Sequence, residues 1–75
     1  MTDRQQLHAL HAMADAQNHL DPHRAFKALI RMSGDRVQAK RVMLSMVKAR
    51  ALTFDGEEHR GDRLRIVASH PWLAN

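Results

Sequence analysis

Cysteine is absent from this chain. That excludes disulfides, thiolate catalysis and cysteine zinc sites, and it is compatible with a reducing cytoplasm. Aromatic side chains are scarce: only Phe26, Phe54 and Trp72. RNA binding would fit the charge, but the stacking platforms that single-strand readers use are lacking. No apolar run is long enough for a signal peptide or a membrane span, so a soluble cytoplasmic protein is expected, with no membrane association. A Gly-rich phosphate loop and paired carboxylates on a convincing scaffold are missing as well. The chain has 75 residues, which leaves little room for a sheltered pocket. We therefore expect no enzyme and no cofactor. Residues 1–75 read as one domain with a small core, of marginal stability unless it dimerises. Five methionines add adaptable packing or a sticky contact surface.

What the chain does have is clustered positive charge. The formal net charge is +4. Residues 22–50 hold Arg24, Lys27, Arg31, Arg36, Lys40, Arg41, Lys48 and Arg50 against Asp35 alone, a net of +7. Both flanking segments are slightly acidic. Such concentration is the footprint expected for a polyanion.

The same stretch carries the strongest local signals. Gly34 suits the left-handed residue that ends a helix. Asp35 can cap the next one, and Gln38, three residues on, can reach back as in a capping box. From Arg36 to about Ala51 there is no Gly or Pro. At helical periodicity Ala39, Val42, Met43, Met46, Val47 and Ala49 share one side. Val37, Lys40, Arg41, Leu44, Ser45 and Lys48 share the other, with Gln38 at its edge. Arg and Lys can meet phosphates or guanine edges, Gln can pair with adenine, and Leu44 can touch a thymine methyl. A lysine-rich helix surface also serves plain solubility, and Val37 and Leu44 leave room for a protein contact.

Ahead of this lie two helices. Thr2 with Gln5 resembles a capping box, so the first starts near Asp3. Its buried stripe is Leu7, Leu10, Met13, Ala14 and Leu20. Its opposite face lines up His8, His11, Asp15 and His19 along one ridge. Such a ridge offers two or three metal ligands, short of a true zinc site, so exposed histidines are the expectation. Asn18 to Asp21 connects to the second helix, which Asp21 caps and Pro22 opens. It runs to about Met32, with Ala25, Phe26, Leu29, Ile30 and Met32 inward. His23, Arg24, Lys27 and Arg31 point outward as a second basic stripe.

After the long helix, Ala51 to Phe54 reads as a strand. Arg63 to Val67 alternates like a second, half-buried one, with Leu64 and Ile66 inward and Arg63 and Arg65 outward. The two form a hairpin whose tip is the polar 55–62 loop. Pro71 stops the second strand. Trp72 and Leu73 are expected to cover the open side of the core, or Trp72 to anchor a partner.

Helix, helix, Gly-containing turn, basic helix and hairpin is the order of the winged helix-turn-helix family. The run from Val42 to Phe54 resembles the end of that family's recognition helix and the entry to its wing, with Arg50-Ala51-Leu52-Thr53 where a Gly and apolar residues usually stand. The resemblance covers about residues 22–67 and lies in pattern and order. It implies a mainly α fold, three helices followed by a two-stranded wing, and double-stranded DNA as partner. The sequence departs from the family pattern in three places, one being that the helix before the turn carries no typical small-residue signature. Asn18 to Asp21 is hardly long enough for the family's strand between the first two helices. The tip is acidic (Asp55, Glu57, Glu58, Asp62), leaving His59, Arg60 and Arg63 to help the wing bind.

The expectation is therefore a small DNA-binding transcriptional regulator, phage- or plasmid-like in size and homodimeric. Gln38, Lys40, Arg41, Ser45 and Lys48 would meet the major groove. Arg24, Lys27, Arg31 and Arg36 would hold phosphates, with Arg60 and Arg63 on the wing. The alternative is a small phage-type protein-binding inhibitor or adaptor using the same basic surface.

Overall fold

Each helix begins where a side-chain oxygen meets free backbone N–H groups. In the computed structural model, residues 1–55 and 63–74 are described. Helix α1 (Asp3–Met13) starts with the full capping box: Thr2 accepts from the Gln5 N–H, and the Gln5 side chain accepts from the Thr2 N–H. Helix α2 (Pro22–Ser33) has Asp21 as its cap and Pro22 in the first turn. Helix α3 (Arg36–Lys48) has Asp35 as its cap, accepting from the Gln38 N–H at 2.7 Å. Only half of that expected box forms. Gln38 Oε1 instead accepts from Arg41 Nε at 2.9 Å, a charged donor that outcompetes a backbone amide.

The helix ends explain two boundaries. Gly34 closes α2 at φ 96°, a left-handed conformation that glycine adopts without strain. Helix α3 stops at Lys48, three residues before the expected end, because Arg50 turns left-handed at φ 62°. The Ala51 N–H then reaches Met46 O at 2.9 Å and the Arg50 N–H reaches Val47 O at 3.0 Å. This is the Schellman closure with Arg where glycine is usual. A side chain in that conformation costs about 1 kcal/mol. Arg50→Gly should therefore raise stability by roughly 0.5–1 kcal/mol, seen as a melting temperature several degrees higher. A lower melting temperature would contradict the strain argument.

Strands β2 (Leu52–Asp55) and β3 (Arg63–Ile66) pair antiparallel, with Leu52 opposite Ile66 and Phe54 opposite Leu64. Asp55 closes β2 rather than opening the loop. The tip residues 56–62, including Glu57, Glu58, His59, Arg60 and Asp62, lie outside the described residues. The expected two-stranded hairpin gains a third member. Strand β1 (His19–Leu20) adds to the other side of β3, giving the order β1-β3-β2.

The connection that looked too short suffices because its turn is tight. Asn18 sits at φ 63°, which asparagine tolerates. The Asp15 carboxylate accepts from the N–H groups of Gln17 at 2.8 Å and His19 at 2.9 Å. Those two bonds, His19 first, hold the carboxyl below its ordinary value of 3.8. A lowered folded-state value means that the stabilisation is complete above the ordinary value and fades as pH falls below it. Asp15→Ala should lower the melting temperature at about pH 6, and the gap from the parent should narrow as pH drops below 3.8. A gap that stays constant with pH would exclude the charged turn as its source.

The turn also corrects the imidazole ridge. Because α1 ends at Met13, Asp15 and His19 are not on a helix with His8 and His11. Among the described residues no three metal-ligating side chains converge. His11 Nε2 lies 3.2 Å from Asn18 Oδ1 instead.

The core lies between the three helices and one face of the sheet. Leu7, Leu10, Leu20, Ala25, Leu29, Ala39, Val42, Met46, Ala51, Leu52, Leu64 and Ile66 form it. Met13, assigned to the buried stripe, is 38% exposed. Gln6 is buried in its place at 3% exposure. Its Oε1 accepts from Ser33 Oγ at 3.0 Å, tying α1 to the end of α2.

The chain's C-terminal part returns across this assembly. A 3₁₀ turn at Pro71–Leu73 packs Trp72 and Leu73 against the core, as the apolar tail suggested. Arg4 Nη2 donates to Pro71 O at 3.0 Å. His70 Nδ1 accepts from the Trp72 N–H at 3.1 Å, so the ring proton sits on Nε2, which donates to Ala49 O at 2.8 Å. The imidazole thus closes off a terminal carbonyl of α3 and meets Trp72 edge-on, with centroids 5.4 Å apart. No helix among the described residues is long and apolar enough to cross a membrane.

Candidate nucleic-acid interface

Helix α3 owes its two faces to where its small and branched side chains fall. Ala39, Val42 and Met46 are buried in the core, one or two turns apart. That orientation forces Val37, Lys40, Arg41, Leu44 and Lys48 into solvent, and all five are exposed. Ser45 and Met43 lie half-buried along opposite flanks. The outermost line runs Val37, Arg41, Leu44, Lys48, at spacings of four, three and four.

Helix α2 contributes a second cationic surface. Its buried side is Ala25 and Leu29, so Arg24, Lys27 and Arg31 are exposed, and Arg36 is exposed at the start of α3. The two helices share the most extensive helix–helix contact in the molecule. Among the described residues, no carboxylate pairs with Arg24, Lys27, Arg31, Arg36, Lys40, Arg41 or Lys48. Asp35, the single acid in this stretch, is occupied with the backbone of α3.

Two shallow depressions flank the outer line of α3. One, of about 490 Å³, lies toward α2 and is lined by Phe26, Arg36, Val37, Lys40 and Met43. The other, of about 480 Å³, lies toward the 3₁₀ turn and is lined by Arg41, Leu44, Ser45, Lys48, Ala49 and Trp72. Apolar floors with cationic rims therefore run along both sides of the helix.

The structure brings most of the sequence-derived candidates onto two adjoining helices. Gln38, Lys40, Arg41, Ser45 and Lys48 are on α3 with Arg36, while Arg24, Lys27 and Arg31 are on α2. Gln38 has a different immediate job: it holds the Arg41 guanidinium in place across one helical turn. Arg63 stands apart, at the start of β3, exposed and opposite Asp55 in register. Arg60 lies outside the described residues. Trp72 is the contributor that sequence reasoning did not attach to this surface. Nothing local could have done so, because it reaches the flank of α3 only by the return of the tail. No family model, no curated protein and no solved structure matches this chain.

Proposed function

We propose that the chain is a small duplex-DNA-binding protein that lays α3 in the major groove. The single observation carrying this reading is the outer face of α3, where Lys40, Arg41 and Lys48 project into solvent with no carboxylate partner among the described residues. A 13-residue helix is about 20 Å long, and the major groove is about 12 Å wide and admits a helix. Arg24, Lys27, Arg31 and Arg36 on the adjoining surface suit the phosphates that border the groove. Arg41, already oriented by Gln38, loses less freedom on pairing than an unrestrained side chain would. One such helix buries little surface, so a homodimer reading two half-sites fits best, and the role is transcriptional regulation in a cytoplasm.

Fluorescence anisotropy on a duplex at two salt concentrations tests this. Six or more phosphate contacts imply a loss of about 10³-fold or more between roughly 50 and 200 mM salt. Weak binding that does not change with salt would remove the reading.

A second reading has its own observation. Val37 is 76% and Leu44 56% exposed, at the centre of the same surface. A protein partner with an acidic, partly apolar face would cover them, making the chain an inhibitor or adaptor. Pull-down by a protein that survives Arg41→Glu with Lys48→Glu, in a chain that binds no duplex, would favour this alternative.

A further inference from the structure

The outer line of α3 is not simply cationic. Val37 and Leu44, exposed at 76% and 56%, alternate along it with Arg41 and Lys48. A face built only for phosphates or for solubility has no use for branched apolar side chains at its most exposed positions. A face built for a protein core would be depleted of charge. Here Arg36 and Lys40 border Val37, and Arg41 and Lys48 border Leu44. One surface that accepts both characters is a polyanion displaying apolar groups between its charges. In a duplex major groove the apolar group is the thymine C5-methyl.

We infer that Val37 and Leu44 are specificity residues that read thymine methyls at two positions. The inference rests on the DNA-binding reading above. Seven residues separate the two side chains, which is two turns on one face and a rise of about 10.5 Å. Stacked base pairs are about 3.4 Å apart. The helix therefore matches thymines roughly three base pairs apart. Between them, the Arg41 guanidinium, held by Gln38 Oε1 at 2.9 Å, is placed for a guanine edge or a phosphate. The arrangement assigns sequence preference to the apolar pair and register to the cations.

The experiment is enrichment of binding sites from a random-sequence duplex pool, using the chain as it stands. Uracil, which lacks only the methyl, is then substituted for each thymine of the enriched site. Expected are two thymines about three base pairs apart, with uracil at either lowering affinity roughly fourfold, as loss of one buried methyl implies. Leu44→Ala should abolish sensitivity at one position and Val37→Ala at the other. Both side chains are exposed, so far-UV circular dichroism should be unchanged, and the uracil arm needs no protein variant. An enriched site indifferent to uracil would overturn the inference while leaving duplex binding intact. Uracil sensitivity that persists in both alanine variants would overturn it too. If no duplex is bound in a salt-dependent way, the functional reading and this inference fall together.

Discussion

If α3 binds duplex DNA as proposed, Arg41→Glu combined with Lys48→Glu should abolish that binding while leaving the fold as it was. Hydrogen bonds to charged partners contribute about 1.5–3 kcal/mol each. Two lost contacts therefore reduce affinity by roughly 10²- to 10⁴-fold, and the new repulsion from phosphates adds to that. The salt dependence should flatten as well, by about 0.9 in the log–log slope for each contact removed. Both side chains are exposed, and neither forms an ion pair among the described residues. Removing them leaves no buried charge behind, and the melting temperature should hardly move. Arg41→Glu also removes the bond from Arg41 Nε to Gln38 Oε1, an exposed interaction of small worth. Anisotropy titrations paired with thermal melts separate the two effects. Unaltered affinity in a folded double variant would show that this face is not where DNA binds.

Leu29→Ala has the opposite signature, a large loss of stability at a position remote from the solvent-facing cations. Leu29 is fully buried on α2, in the core shared by the three helices and the sheet. Truncation of a buried leucine removes its transfer free energy and leaves a cavity, together about 2–5 kcal/mol. A domain of 75 residues has about 4–11 kcal/mol in total. The substitution therefore takes between a fifth and the whole of it, with a fall in melting temperature of roughly 10–30 °C. Leu44→Ala is the control, since a leucine 56% exposed should change stability by no more than about 0.5 kcal/mol. Urea melts of both variants give the comparison. Equal destabilisation would mean that the assigned inward and outward faces are wrong.

Much of this architecture is legible in the sequence. The Thr2–Gln5 box, the Asp21-Pro22 start and the Gly34-Asp35 junction each act over three or four residues, so adjacent letters suffice to read them. The alternation Arg63-Leu64-Arg65-Ile66 gave β3 its inward and outward sides correctly, because a strand's two faces follow from parity alone. The cationic outer face of α3 followed from helical periodicity in the same way. Gln38 shows where local reasoning stops. A side chain that could reach back to its cap could equally reach forward to Arg41, and the charged donor there is the stronger partner.

The sequence by itself determined where helices begin, which sides of α3 and β3 meet solvent, and that the positive charge is concentrated on two consecutive helices. These are short-range or periodic properties, and no distant part of the chain is needed to state them. Only the tertiary structure decided that two residues, His19 and Leu20, would serve as a strand, since that requires β3 beside them. The same holds for Gln6 with Ser33, His70 with Ala49 and Arg4 with Pro71, which are 27, 21 and 67 residues apart. Those bonds form because apolar burial first brings the segments together. The buried or half-buried groups of Gln6, Ser33 and His70 must then find partners or lose the free energy of their hydration, whereas the Arg4 bond stays at the surface.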